Sequence, residues 1–103
     1  AGLRTRDQIR AGLRESERYA ALPSAIASVG GARAVLGCRP IYTEWFDVQD
    51  VARELGLHEF EVSIRPRVPG TVVARRGATI ADPRRFPAQH LTDQWVIASS
   101  CRR

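Results

Sequence analysis

Cys38-Arg39-Pro40-Ile41-Tyr42-Thr43 and Gln94-Trp95-Val96-Ile97-Ala98-Ser99-Ser100-Cys101 are the two stretches on which the fold turns. Each is a short apolar run with a cysteine at its outer end, and the two lie far apart in the chain. Read as neighbouring strands, they bring Cys38 and Cys101 together and enclose everything between them in one covalent loop. Two cysteines admit one intramolecular pairing. Closing a loop of about sixty residues stabilises a fold by roughly 4 kcal/mol on the chain-entropy account. Such bonds persist in oxidising compartments, so the pairing carries an expected extracytoplasmic location. The alternative is two buried free thiols packed as small hydrophobes.

Working outward, Ile41-Tyr42-Thr43 has the β-branched and aromatic character of a strand, with Pro40 at its start or on an edge. The clearest helix follows. Asp47 is placed as its N-cap, Asp50 lies in the first turn, and Phe46 and Val51 have the spacing of a hydrophobic staple. Val48, Val51, Ala52 and Leu55 form its apolar stripe, Gly56 stops it, and Leu57 is expected to pack back beneath it. From His58 the period changes to two: Phe60, Val62 and Ile64 alternate with Glu59, Glu61, Ser63 and Arg65. Pro69-Gly70 fits the centre of a type II turn, and Thr71 to Arg75 reads as a returning strand. Residues 59–76 are therefore expected to form a hairpin, and Gly77 to Thr92 a long connection containing Pro83 and Pro87.

Upstream, Thr5-Arg6-Asp7-Gln8 has the form of a capping box. It predicts a lead-in helix from Arg6 to about Ala21, with Ile9, Leu13 and Ala20 near one stripe. Pro23 is expected to stop it or to stand near the start of the next helix. Ser24 would cap that short helix, which Gly30-Gly31 ends, and a further turn from Ala32 to Leu36 delivers the chain to Cys38. The fold class is α+β: a small mixed or antiparallel sheet of about four strands packed with helices and closed by one disulfide. The expected organisation is a single domain, 1–103, with a lead-in helix over 1–22 and a disulfide-closed core over 24–103.

The bulk properties agree with a folded domain. The chain has 103 residues, 44% of them hydrophobic and 26% charged, an ordinary globular balance. No apolar run approaches the ~20 residues of a membrane span, and the N-terminus lacks a signal-peptide pattern. A start at Ala1 and the absence of methionine give the expectation of a processed or excised piece, from which an anchor or export signal has been removed. All sixteen basic residues are arginine, which we read as codon usage of a high-GC bacterial genome rather than as selection for guanidinium chemistry. That weakens any inference from basicity to nucleic acid. The charge is uneven: +3 over residues 1–37, −4 over 38–64 and +6 over 65–103. A basic final third suits phosphates or anionic lipid, with Arg65, Arg67, Arg75, Arg76, Arg84 and Arg85 as the candidate contacts. The plainer reading is a solvated surface with some internal pairing.

Other constellations carry less. Cys38 with His58 or His90 lacks the local signatures of a thiol hydrolase. His58, Glu59, Glu61 and His90 lack the HExxH or HxxxH spacing of a metal site. Gly30-Gly31 is not followed by a phosphate-loop pattern. No catalytic residue, metal ligand or cofactor is assigned. Tyr42 and Trp45, beside Phe46 and Glu44, are candidate ligand-facing aromatics of the kind found on sugar-binding surfaces, although a core cluster explains them as well. Residues 48–57 resemble the first helix and turn of a helix-turn-helix. The segment after them alternates like a strand and carries Glu59 and Glu61, so DNA binding stands as the alternative function and nucleic acid as a disfavoured partner.

Taken together, Gly31…Leu36-Gly37-Cys38, Ile41-Tyr42-Thr43, Val51-Ala52-Arg53-Glu54-Leu55, Val62-Ser63-Ile64-Arg65-Pro66, Pro69-Gly70-Thr71-Val72-Val73 and Trp95-Val96…Cys101 resemble the soluble C-terminal extracytoplasmic segment of actinobacterial multi-pass membrane proteins, some described as glycosyltransferase-like. The resemblance covers roughly residues 17 to 101. It implies an envelope-facing, non-catalytic packing or recognition domain attached to a membrane-embedded part of the same or a partner protein, with any transferase chemistry in that part. Anionic lipid or envelope polymer is the further expected partner.

Overall fold

The computed structural model describes residues 2–101, with side chains from Glu15 onward. In chain order the elements are α1 (Gly2–Ser28), α2 (Ala32–Leu36), β1 (Ile41–Tyr42), α3 (Val48–Leu55), β2 (Val62–Ser63), β3 (Thr71–Arg75), β4 (Ala88–Leu91) and β5 (Trp95–Ser99). Single 3-10 turns at Trp45–Asp47 and Glu59–Glu61 flank α3. The strands form one five-stranded mixed sheet in the order β2-β1-β3-β5-β4. β1 is parallel to both β2 and β3, and β5 is antiparallel to both β3 and β4. The fold is α+β, with one strand more than expected.

β3 and β5 are buried on both faces, which is why Thr71-Val72-Val73-Ala74 and Trp95-Val96-Ile97-Ala98 read as unbroken apolar runs. Ile41, Val62, Val73, Trp95 and Ile97 turn to one face and pack with Leu22, Ile26, Val35, Val51 and Leu55 from the three helices. Tyr42, Val72, Ala74, Val96 and Ala98 turn to the other, where Ala81 and Phe86 of the connection between β3 and β4 cover them. One face is closed by helices and the other by a loop.

Cys38 and Cys101 are joined, with their Cα atoms 5.9 Å apart. They do not meet across neighbouring strands, because β3 lies between β1 and β5. Both overhang the start of β3. There Thr71 Oγ1 donates to the Cys38 carbonyl (2.8 Å), and Gly70 exchanges bonds with Ser100 through its N–H to Ser100 Oγ (2.8 Å) and its carbonyl from Ser100 N–H (3.0 Å). Gly70 has φ 154°, and a Cβ there would sit 2.4 Å from the Tyr42 ring and 2.7 Å from the Pro40 carbonyl. No other residue fits this position.

Three expectations are corrected. The helix expected to end before Pro23 runs through it to Ser28. Pro23 faces solvent, while Leu22, Ala25 and Ile26 are buried around it. A helix-interior proline costs about 3 kcal/mol, and burying two such large aliphatic side chains returns roughly 1.5–3 kcal/mol each. Packing outweighs the local break, so no boundary falls at residues 22–24. The Thr5 capping box and the Ile9 and Leu13 stripe fall on side chains outside those described.

The hairpin over 59–76 does not form. Glu59–Glu61 is a 3-10 turn, only Val62 of the alternating set is buried, and β2 and β3 lie on opposite sides of β1. β1, α3 and β2 instead make a βαβ unit, as parallel neighbours require a crossover. Finally, Ala88–Leu91, expected within a long connection, pairs with β5 as the sheet edge. For α3, Gly56 takes the left-handed conformation (φ 69°, ψ 31°), and Leu57 N–H reaches back to the Ala52 carbonyl (2.8 Å), which closes the helix as expected.

Candidate functional site

Arg65, Arg67, Arg84 and Arg85 are all exposed, on two loops joined by a hydrogen bond from Arg85 to the Pro66 carbonyl. Residues 64–70 lead from the end of β2 back to the start of β3. Arg65 N–H donates to Ser63 Oγ (3.2 Å), which turns the chain out of β2. Residues 76–87 lead from β3 to β4 and are pinned by Phe86, which is fully buried against Tyr42. Gln89 holds this loop from below, its amide donating to the carbonyls of Ala81 (3.0 Å) and Phe86 (2.8 Å). The Arg85 guanidinium lies over the Phe86 ring and donates to the Pro66 carbonyl, which ties the two loops together. None of these four arginines forms an ion pair with a described residue. Asp82, the sole acid in the two loops, is turned onto the Arg84 backbone N–H (2.9 Å).

The other two arginines of the expected set are placed differently. Arg76 is exposed and donates to the Thr92 carbonyl (3.2 Å). Arg75 is clamped between two carboxylates. Its Nε and Nη2 donate to Asp47 (3.0 and 3.1 Å), and its Nη1 and Nη2 donate to Glu15 (3.2 and 3.1 Å). Nη2 also reaches Tyr19 Oη (3.0 Å), whose own hydrogen goes to Asp47 Oδ1 (3.0 Å). Phe46 lies 4.5 Å beneath the guanidinium. Glu15 is paired with Arg18 as well. Burial works against the Arg75 charge, but the hydrogen bonds and charge of Asp47, with Glu15 and Tyr19, hold its pKa above the usual value. Burial and then Asp47 push the Tyr19 phenol up, against Arg75, which pulls it down.

Asp47 is thus fully buried as an ion-pair partner and makes no side-chain cap, although it occupies the expected N-cap of α3. Such a cluster joins α1, α3 and β3. Two carboxylates already face the Arg75 guanidinium, so its charge is largely matched inside the molecule and Arg75 is set apart from the exposed arginines as an anion contact.

Of the two ligand-facing aromatics, Tyr42 is 4% exposed, while Trp45 is 75% exposed and stacked edge-on against Phe46. Tyr42 packs inward because its position in β1 faces Phe86. The histidines stand at opposite edges of the sheet. His58 stacks on Phe60 beyond α3, and His90 lies on β4. The set His58, Glu59, Glu61 and His90 therefore does not converge, and both thiols are consumed by the disulfide. His90 Nε2 does meet Ser28 Oγ (2.9 Å), at the edge of a half-open cavity of about 530 Å³ lined by Val29, Val35, Ile97 and both cysteines. Ser28 already donates to the Ala25 carbonyl (2.6 Å), so the imidazole faces it as a donor. The pair is a hydrogen bond, not an activated nucleophile.

No family model, curated protein or solved structure matches this chain. Among the described residues no helix is long and apolar enough to cross a membrane, and no group of three metal-ligating side chains converges. The Asp47–Arg75 clamp went unseen in the sequence. The one available signal was an arginine ending an otherwise buried strand, a position that demands a partner.

Proposed function

We propose that this is a non-catalytic recognition domain outside the cytoplasmic membrane, held to a membrane-embedded part of the same or a partner protein. It meets an anionic surface through Arg65, Arg67, Arg84 and Arg85. The observation that carries the reading is the gathering of these four exposed guanidiniums, without an ion pair among the described residues, on two loops bridged by Arg85 and Pro66. The disulfide supports the compartment, since such bonds survive where thiols are oxidised. Each arginine near an anionic leaflet adds about 1 kcal/mol, so four together are worth roughly a thousandfold in partitioning. The interaction is screened over about 8 Å at physiological salt. Duplex DNA is the weaker reading, because a 3-10 turn and a strand follow α3 where a recognition helix is needed.

The test is co-sedimentation with phosphatidylglycerol-containing and neutral vesicles. Reversing Arg84 and Arg85 to glutamate should weaken binding to the anionic vesicles at least about thirtyfold, by the same scale. Binding that ignores the reversals rejects the proposal. Arg75 is left intact, because its loss would report on folding.

A further inference from the structure

The 64–70 loop also holds two aliphatic side chains in water. Ile64 is 50% exposed and Val68 is 55% exposed, and they bracket Arg65-Pro66-Arg67. Exposed single aliphatics need no explanation. Here, however, they flank two arginines that have no ion pair among the described residues, on a loop whose shape is fixed at three points. Ser63 Oγ takes the Arg65 N–H, Arg85 takes the Pro66 carbonyl, and Gly70 is bonded on both sides to Ser100. Little ordering is left to be done on contact.

We infer that the anionic surface is a lipid bilayer, and that Ile64 and Val68 enter its headgroup–acyl boundary while Arg65, Arg67, Arg84 and Arg85 lie against the phosphates. This rests on the anionic-surface reading above. What separates a bilayer from a hydrated anionic polymer is the use made of the two aliphatics. A polymer or a nucleic acid backbone satisfies the guanidiniums and leaves Ile64 and Val68 in water. A bilayer satisfies both, because apolar burial and attraction to anionic lipid add in interfacial binding. Long arginine stems let the charged heads stay at phosphate depth while shorter aliphatics go deeper. Asp82 is the one acid in the two loops and is turned onto the backbone of its own turn, and against it stand five arginines, a net charge of +4 (five minus one).

The experiment uses the intact, oxidised chain. Ile64→Trp in a Trp45→Phe background places a reporter in the loop, and Ile64→Ser with Val68→Ser removes the aliphatics. Both are read on phosphatidylglycerol/phosphatidylcholine vesicles and on soluble polyphosphate. The reporter is expected to shift to the blue on anionic vesicles and to be quenched by lipids brominated along the chain. The double serine variant should lose roughly tenfold in vesicle partitioning per side chain while keeping polyphosphate binding within about twofold, with unchanged melting. If vesicles bind and arginine reversal abolishes it, but the reporter stays unshifted and the serines change nothing, insertion is overturned and the anionic-surface reading stands. Equal loss of both ligands in the serine variant also overturns insertion. If the unaltered protein binds neither vesicles nor polyphosphate, both readings fail.

Discussion

The two faces of the sheet are closed by different means. On one, α1, α2 and α3 lay periodic apolar stripes over Ile41, Val73, Trp95 and Ile97, and a carboxylate–guanidinium clamp ties two of those helices to β3. On the other, a stretch without regular structure is drawn down over Val72, Ala74, Val96 and Ala98 by Phe86, with Gln89 bonding its backbone. A helix satisfies its own backbone and so covers a sheet with side chains alone. A loop must find partners for its carbonyls: here Gln89 serves those of Ala81 and Phe86, and backbone N–H groups of the loop's own turns serve those of Ala78 and Asp82. The loops of this second face also carry Arg84 and Arg85, exposed and without an ion pair among the described residues.

The comparison is open to attack from both sides. The largest effect is expected from Phe86→Ala, which opens the loop-covered core and should cost about 3–5 kcal/mol in urea unfolding. If it costs less than Leu22→Ala on the helix face, the loop is a drape rather than a second layer. Asp47→Ala tests the helix face. It strands the Arg75 guanidinium, and breaking a largely buried pair costs about 3–5 kcal/mol. Glu15 remains to Arg75, so the lower end is expected, with Asp47→Asn milder. An Asp47→Ala variant as stable as the unaltered protein would show that apolar stripes alone hold that face.

The smallest effect is in pH. Tyr19 has its pKa raised above the ordinary 10 in the folded chain. The folded state then keeps a proton that the unfolded state releases, so this stabilisation is whole below pH 10 and lost as pH climbs through Tyr19's own value. Thermal melting from pH 9 upward should fall less steeply in Tyr19→Phe; identical slopes would remove Tyr19 from the clamp's energetics.

Much of the helix face was legible. Its signals are local: the α3 stripe, Gly56, and strand runs whose double burial removes any alternation. The two cysteines also announced their bond, although not the strand that separates them. What failed was non-local. Pro23 is tolerated because of what Leu22 and Ile26 touch, far along the chain. Phe60, Val62 and Ile64 alternate as a strand should, yet Phe60 and Ile64 point to water, and β2 seeks β1. Ala88 to Leu91 has no apolar rhythm because an edge strand has little to bury. At the candidate site the arginine-rich loops could be read from composition. That Arg75 is spent internally could not, since its partners lie 28 and 60 residues away.

The sulfur link also decides where tension would travel. α1 lies outside the covalent ring, and the ring's two attachment points sit at the same end of the sheet. A pull between residue 28 and residue 101 arrives at Cys38 and passes straight to Cys101, past a separation of 63 residues. Roughly 200 Å of chain is thereby withheld from extension, and the covalent path of the load bypasses all five strands.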